Sequence, residues 1–188
     1  MIDILKNKLE VLPSRLVIEG GQQVNGKVRV SGAKNAATRI LAGSILTDEP
    51  VTLLNFPTHI ADALHKMRFI QSLGVDIDVD HAAETVEVKA REITNEIVSS
   101  YDVPIRTTYL LTAGQIIRNG IARIPYPGGC KIGSRGYDLH IMVWEKLGCV
   151  VEEKNDFIEV RGHFKGAIID FPISTVGGTE NALLCTAV

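Results

Sequence analysis

The hydrophobic and polar positions of the chain follow two different spacings. Apolar residues three and four positions apart predict helices over residues 36–46, 59–73, 104–117 and 137–147. Alternating apolar and polar residues predict strands over residues 75–79 and 85–88, and short apolar-rich runs predict strands over residues 16–18, 28–30, 51–55, 121–124, 149–152, 157–160 and 167–170. The dipeptide Asn25-Gly26 predicts a hairpin turn between the first two strands. The pattern therefore predicts an α/β fold.

The order of these elements repeats along the chain. Ala42-Gly43 recurs as Ala113-Gly114, and Leu73-Gly74 recurs as Leu147-Gly148. The repeated unit is a helix, a strand, a helix and two strands, roughly seventy residues in all. A third copy is expected to begin near Gly177, with its first helix over residues 181–188.

The third unit is expected to be incomplete, so that the chain is a fragment or one piece of a longer protein. Its predicted helix runs into an uncapped apolar stretch at the last residues. Three such units, packed with their helices inside, would form one domain with the strands outside.

Composition narrows the function classes. The chain has 188 residues, of which 45% are hydrophobic, and a net charge of -2. This supports a substantial core and argues against nucleic-acid binding, which requires clustered basic residues. The sequence shows no apolar run of membrane-spanning length and no secretory signal at its start. Its three cysteines lack metal-ligand spacing and fit reduced thiols in a cytoplasmic protein.

The most unusual stretch is a glycine-rich loop over residues 127–140, which holds four glycines and Cys130. Glycines allow backbone N–H groups to approach a ligand closely. Lys131 and Arg135 would lower the pKa of the Cys130 thiol and make it a usable acid or nucleophile. A plain surface turn with a half-buried cysteine explains the composition of this loop equally well.

Two motifs together resemble the enolpyruvyl transferases, in particular the members that use UDP-N-acetylglucosamine. They are Ser-Gly-Ala-Lys-Asn-Ala-Ala at residues 31–37, and the glycine loop with Asp-Leu-His at residues 138–140. The resemblance covers residues 16–188 and implies two similar domains, each an inverse α/β barrel of three repeated units, around a cleft. Residues 31–188 would form most of one domain, incomplete at its C-terminus. Residues 1–30 would be strands that lead from or belong to the other domain.

The resemblance implies transfer of the enolpyruvyl group of phosphoenolpyruvate to the 3'-hydroxyl of UDP-N-acetylglucosamine, the first committed step of peptidoglycan synthesis. Lys34, Asn35 and Arg135 would bind phosphoenolpyruvate, whose phosphate and carboxylate need fixed cations. Cys130 would be the catalytic residue that protonates the methylene carbon. No cofactor, metal, nucleic acid or membrane partner is implied.

The nucleotide sugar would be bound by several segments. Arg106 stands at a helix start, against the preference of the helix dipole, which suggests an anion beside it. The other implied residues are Arg135, Gly136, Tyr137, Asp138, Leu139, Thr175, Val176 and Gly177. His140 has the alternative role of a first-turn residue packed against the loop.

The sequence departs from the family pattern in the nucleotide pocket. Gly136-Tyr137 replaces a proline and an aliphatic residue, and Ile173 replaces a lysine. Two alternatives therefore stay open: an enolpyruvyl transferase with another nucleotide acceptor, and a catalytically inactive half that acts as a binding module.

Overall fold

The structure, a computed structural model, describes residues 25–98, 106–126 and 136–187, together with residues 17, 20, 21 and 23. The chain divides into two compact units, Met1–Val30 and Ser31–Val188. In the first unit the described residues 25–30 are exposed. Among the described residues no helix is long and apolar enough to cross a membrane.

The second unit contains the predicted repeat. Its first copy comprises α1 (Lys34–Gly43), β1 (Val51–Leu53), α2 (Ala61–Ser72), β2 (Asp76–Asp80) and β3 (Thr85–Lys89). Its second copy comprises a 3-10 helix (Arg106–Leu110) that continues into α3 (Leu111–Asn119), then β4 (Ile121–Pro125), α4 (Asp138–Lys146), β5 (Val150–Glu153) and β6 (Phe157–Arg161). Helix α5 (Val176–Cys185) begins the third copy.

Each copy folds its strands into a small antiparallel sheet of the same order. The first sheet has the order β1-β3-β2 and the second has the order β4-β6-β5. Equivalent central pairs are Thr52 with Glu87 and Arg123 with Glu159. The prediction of an internal duplication is therefore confirmed at the level of strand order.

The helices pack inside and the sheets lie outside them, as an inverse α/β arrangement requires. Alternate residues of β3 and β4 are buried against the helices, which is the strand pattern of a sheet with one covered face. The largest buried side chains come mainly from the helices and the turns that follow them: Leu41, Ile45, Ile70, Leu73, Leu110, Leu111, Ile116, Trp144 and Leu147. This core holds the first turns of the helices in place, and most of the predicted site residues lie there.

The recurring Leu-Gly pairs end α2 and α4. Gly74 and Gly148 have φ values of +92° and +91°, a left-handed conformation that favours glycine. A Cβ on Gly74 would lie 2.0 Å from Thr94 Oγ1. Glycine is therefore needed at this turn for its conformation and for space.

Two predicted strands are absent. Val28 and Val30 are 88% and 79% exposed and form no strand, and most of the partner predicted at residues 16–18 lies outside the described residues. Residues 167–170 also form no strand, and Ile168 is 82% exposed. A segment with a strand-like sequence forms a strand only beside a hydrogen-bonding partner.

The equivalent segment of the second copy shows what kind of strand would have to pair with residues 167–170. There Ile97 forms a parallel bridge with Arg123 of β4, the strand that follows α3. Residues 167–170 precede α5 in the same way, and the described part of the chain contains no strand after α5.

The start of α5 differs from the predicted helix over residues 181–188. The Thr175 hydroxyl accepts a hydrogen bond from the Gly178 N–H and so starts the helix earlier.

Candidate active site

Most of the predicted site residues in the described part of the chain lie at or next to the first turn of a helix. Lys34 and Asn35 open α1, Arg106 opens the 3-10 helix, and Asp138 and Leu139 open α4. Thr175 is the N-cap of α5, and Val176 and Gly177 form its first turn. First-turn N–H groups lack partners within their helix and favour anions. These positions therefore suit substrates that carry phosphate and carboxylate groups.

Three of these segments meet around one pair of stacked rings. Tyr109 of the 3-10 helix stacks on His140 of α4, with ring centroids 3.6 Å apart. Gly177 of α5 lies against both rings, since a Cβ there would be 2.8 Å from Tyr109 Oη and 3.3 Å from His140 Cε1. The structure thus brings residues 106–110, 138–140 and 175–177 together. His140 is 4% exposed, which fits its alternative role as a packing residue.

The residues of α1 that are predicted to bind phosphoenolpyruvate lie beside α2 and α5. Lys34 Nζ is 2.9 Å from Asp62 Oδ2, and the two side chains are 52% and 41% exposed. Arg39 donates hydrogen bonds to the Asn35 carbonyl and to Glu180 of α5. An exposed pair such as Lys34–Asp62 contributes only about 0–1 kcal/mol. An arriving anion can therefore displace Asp62 from Lys34 at small cost.

Gly136 and Tyr137, two of the three departures in the predicted nucleotide pocket, have local structural roles. The Tyr137 hydroxyl donates to Glu153 Oε2 at 3.0 Å, and its ring lies 5.3 Å from that of Tyr126. Burial and this hydrogen bond raise the pKa of Tyr137 to about 12. A Cβ on Gly136 would lie 2.1 Å from Asp138 Oδ2, so glycine leaves room for the Asp138 carboxylate.

Cys130 and Arg135 lie outside the described residues, and so does the rest of the loop from residue 127. The other two cysteines are free thiols and both are buried. Burial raises the pKa of Cys149 to about 11, and it raises the pKa of Cys185 further. Neither of these thiols is suited to acid or nucleophilic chemistry near neutral pH.

Sequence reasoning missed two charged residues next to the site, Asp62 and Lys66. Lys66 is completely buried on α2, and its amine donates a hydrogen bond to the Thr107 carbonyl, one residue after Arg106. A signal was present, because Lys66 falls three residues after Ala63 and four before Ile70, on the apolar face of the helix. A lysine on the apolar face of a helix predicts a buried amine that needs a hydrogen-bond partner.

The family of the chain follows from comparison with known proteins. The family model described as EPSP synthase (3-phosphoshikimate 1-carboxyvinyltransferase) matches residues 18–188. The chain therefore belongs to the EPSP synthase family, which confirms the resemblance found in the sequence motifs.

Particular relatives narrow the comparison further. UDP-N-acetylglucosamine 1-carboxyvinyltransferase of Acinetobacter baylyi is 40% identical over 173 residues, which are 90% of this chain and 41% of that protein. Proteins of the same name from Jannaschia sp. and Methylocella silvestris are 34% and 38% identical, over 93% and 92% of this chain and 41% and 43% of their own lengths. The chain thus spans about two fifths of the length of these curated relatives.

Solved structures support the fold. The enolpyruvyl transferase NikO from Streptomyces tendae superposes with a TM-score of 0.72 at 22% identity, over 89% of this chain and 40% of that one. An EPSP synthase from Acinetobacter baumannii superposes with a TM-score of 0.62 at 14% identity, over 85% of this chain and 37% of that one. At these identities the likeness establishes the enolpyruvyl transferase fold alone.

Proposed function

We propose that the chain forms one side of the active site of an enzyme that transfers the enolpyruvyl group of phosphoenolpyruvate to UDP-N-acetylglucosamine and releases phosphate. In this proposal the reaction takes place in the cytoplasm and is the first committed step of peptidoglycan synthesis. The observation that carries the proposal is identity of 34–40% to three enzymes of that name over at least 90% of this chain. The placement of Lys34, Arg106 and Gly177 at first turns of helices supports it.

In this proposal Lys34 and Arg135 bind the two anionic groups of phosphoenolpyruvate. Lys34 supplies a point charge at the start of α1, where helix N–H groups also favour an anion, and it exchanges Asp62 for the substrate. Arg135 supplies a bidentate fork. Asn35 contacts the same substrate from the next position of α1.

Cys130 acts as the general acid. Its thiol protonates the methylene carbon of phosphoenolpyruvate as the 3'-hydroxyl oxygen of the sugar bonds to the neighbouring carbon. A base of the complete protein takes the proton of the 3'-hydroxyl in this addition. Loss of phosphate, and return of a proton from the same methyl group to the Cys130 thiolate, then restores the double bond. The raised pKa values of Cys149 and Cys185 leave Cys130 as the thiol suited to this step.

The uridine diphosphate group is assigned to Arg106, to Gly136–Leu139 with Arg135, and to Thr175–Gly177. Gly177 contacts both Tyr109 of the 3-10 helix and His140 of α4. This contact supports a single surface formed by the 3-10 helix that begins at Arg106, the start of α4 and the start of α5. Asp138 would face the base or the loop amides, since a carboxylate repels phosphate.

A second candidate is an enolpyruvyl transferase with a different nucleotide acceptor. The Tyr137 hydroxyl is bonded to Glu153, so this side chain packs on β5 and occupies a position where the family pattern has a smaller residue. Calorimetry on the complete protein with UDP-N-acetylglucosamine, UMP and AMP in parallel distinguishes the two. Preference for the uridine ligands supports the first proposal, and equal or tighter binding of AMP favours the second.

A further inference from the structure

Lys66 is a completely buried lysine that the proposed reaction does not use. It lies on the inner face of α2 beside Ala63, Met67 and Ile70, and its exposure is 0%. Charged lysines are almost never fully buried unless an opposite charge accompanies them. Its position therefore calls for a physical explanation.

No carboxylate pairs with Lys66 among the residues that the structure describes. The nearby charge that acts on it is the positive guanidinium of Arg39, and burial and this charge both lower its pKa. A positive charge would also oppose the dipole at the start of the 3-10 helix. The surroundings therefore favour an uncharged amine that acts as a hydrogen-bond donor.

The acceptor of this hydrogen bond is the Thr107 carbonyl, in the second residue of the 3-10 helix. Further along, that helix is held by packing, since Leu110 is fully buried and Tyr109 stacks on His140. The Thr107 hydroxyl has no hydrogen-bond partner among the described residues. The Lys66 amine thus links α2 to the first turn of the 3-10 helix by a hydrogen bond.

We propose that Lys66 is a positioning residue: its amine fixes the first turn of the 3-10 helix and so places the backbone of Arg106 at the nucleotide-sugar surface. This inference rests on the proposed function for the role of Arg106. It assigns to α2 a share in acceptor binding that lies outside the recognised sequence motifs. Lys66 itself does not touch the substrate, because it has no exposed surface.

The test compares Lys66→Met, which keeps the stem and removes the donor, with Lys66→Gln, which keeps an uncharged N–H donor. Lys146→Met, at the exposed end of α4, serves as the surface-lysine control. Amide exchange of a peptide spanning residues 106–110 is measured in the complete protein by mass spectrometry. Affinities for UDP-N-acetylglucosamine and phosphoenolpyruvate are measured by calorimetry.

Lys66→Met is expected to speed exchange in that peptide and to weaken UDP-N-acetylglucosamine binding about five- to tenfold, as loss of one positioning hydrogen bond implies. Phosphoenolpyruvate affinity should stay within about twofold, and Lys66→Gln should restore part of the loss in nucleotide-sugar affinity. Unchanged exchange and unchanged nucleotide-sugar affinity in Lys66→Met would overturn the inference, as would equal losses for both substrates. If Lys66→Met speeds exchange but the unaltered protein does not bind UDP-N-acetylglucosamine, the Lys66–Thr107 hydrogen bond is supported and the proposed acceptor is refuted instead.

Discussion

At the scale of single residues, the three cysteines have sharply different chemical settings. Cys149 and Cys185 are buried and have raised pKa values, whereas Cys130 is followed in the sequence by the basic residues Lys131 and Arg135. Cationic neighbours increase the thiolate fraction of a cysteine, and the thiolate is the form that reacts.

We therefore expect brief iodoacetamide treatment to label Cys130 at least about tenfold faster than either buried thiol, since each pKa unit changes the thiolate fraction about tenfold. Peptide mass spectrometry after short labelling times measures the three rates. Cys130→Ser is the control and should remove the fast phase. Preferential labelling of Cys149 would refute the assignment.

Lys66 predicts a pH dependence of stability. Its pKa is lowered in the folded chain, mainly by burial and then by Arg39, which is itself paired with Glu180 of α5. Between the folded pKa and the usual value of the unfolded state, the unfolded chain binds more protons, so raising the pH favours folding. The cost of charging Lys66 is fully present below the folded pKa.

The free energy of unfolding should therefore rise from pH 7 toward pH 10 more steeply in the unaltered chain than in Lys66→Met. Urea unfolding at a series of pH values measures this difference. Parallel pH profiles for the two proteins would show that Lys66 is not a buried, uncharged amine in the folded state.

At the scale of elements, the two copies of the Ala-Gly pair lie in different surroundings. A Cβ on Gly114 of α3 would lie 2.5 Å from Ile45 Cγ1 and 2.9 Å from the Ile45 carbonyl oxygen. A Cβ on Gly43 of α1 would meet only Leu184 Cδ2, at 3.6 Å. Gly114 therefore permits the close approach of α3 to Ile45 in the turn after α1, whereas Gly43 has ordinary van der Waals space.

Gly114→Ala should lower the free energy of unfolding by about 1–3 kcal/mol, the typical cost of overpacking. Gly43→Ala is the matched control and should change the free energy of unfolding by no more than about 1 kcal/mol. Because alanine has the higher helix propensity, this change should be stabilising. Urea denaturation of both variants gives the comparison. An equal effect at the two sites would contradict the packing shown by the structure.

The sequence predicted the elements whose partners lie within one copy of the repeat. The helices and the sheets β1-β3-β2 and β4-β6-β5 follow from local spacing and short-range pairing. Residues 28–30 and 167–170 carry the strand pattern but do not form strands, because a strand also needs a partner that spacing alone cannot supply. Helix α5 begins before the predicted residues 181–188, because Thr175 supplies an N-cap that apolar spacing does not reveal.

The candidate site was only partly predictable for a related reason. The sequence motifs predict site roles for Lys34, Arg106 and the first turns of α4 and α5, and these roles stay predictions. The Lys34–Asp62 pair and the Lys66–Thr107 contact join different elements and needed the fold. The positions of Cys130 and Arg135 in the site stay predictions from sequence.

At the scale of the whole molecule, the chain matches about two fifths of each curated relative. Its proposed catalytic role therefore belongs to the complete protein. There the negative charges of the phosphate and the carboxylate of phosphoenolpyruvate need cationic side chains beside them. Lys34 and Arg135 are the cations assigned to that task.

Lys34→Ala and Arg135→Ala should each raise the phosphoenolpyruvate concentration needed for half-maximal rate about ten- to a hundredfold, since a charge-assisted contact is worth about 1.5–3 kcal/mol. Lys146→Ala, an exposed lysine on α4, is the control and should leave that concentration unchanged. Steady-state kinetics within twofold of the unaltered protein for either site variant would remove that residue from the binding assignment.

The most direct measurement is enolpyruvyl transfer itself, followed in the complete protein with phosphoenolpyruvate and UDP-N-acetylglucosamine. Phosphate release is recorded together with the mass of the nucleotide sugar, and Cys130→Ala serves as the inactive reference. The account predicts one phosphate released for each nucleotide sugar that gains an enolpyruvyl group, with turnover lost in Cys130→Ala. Failure to modify UDP-N-acetylglucosamine while another nucleotide is modified, or equal turnover in Cys130→Ala, would contradict it.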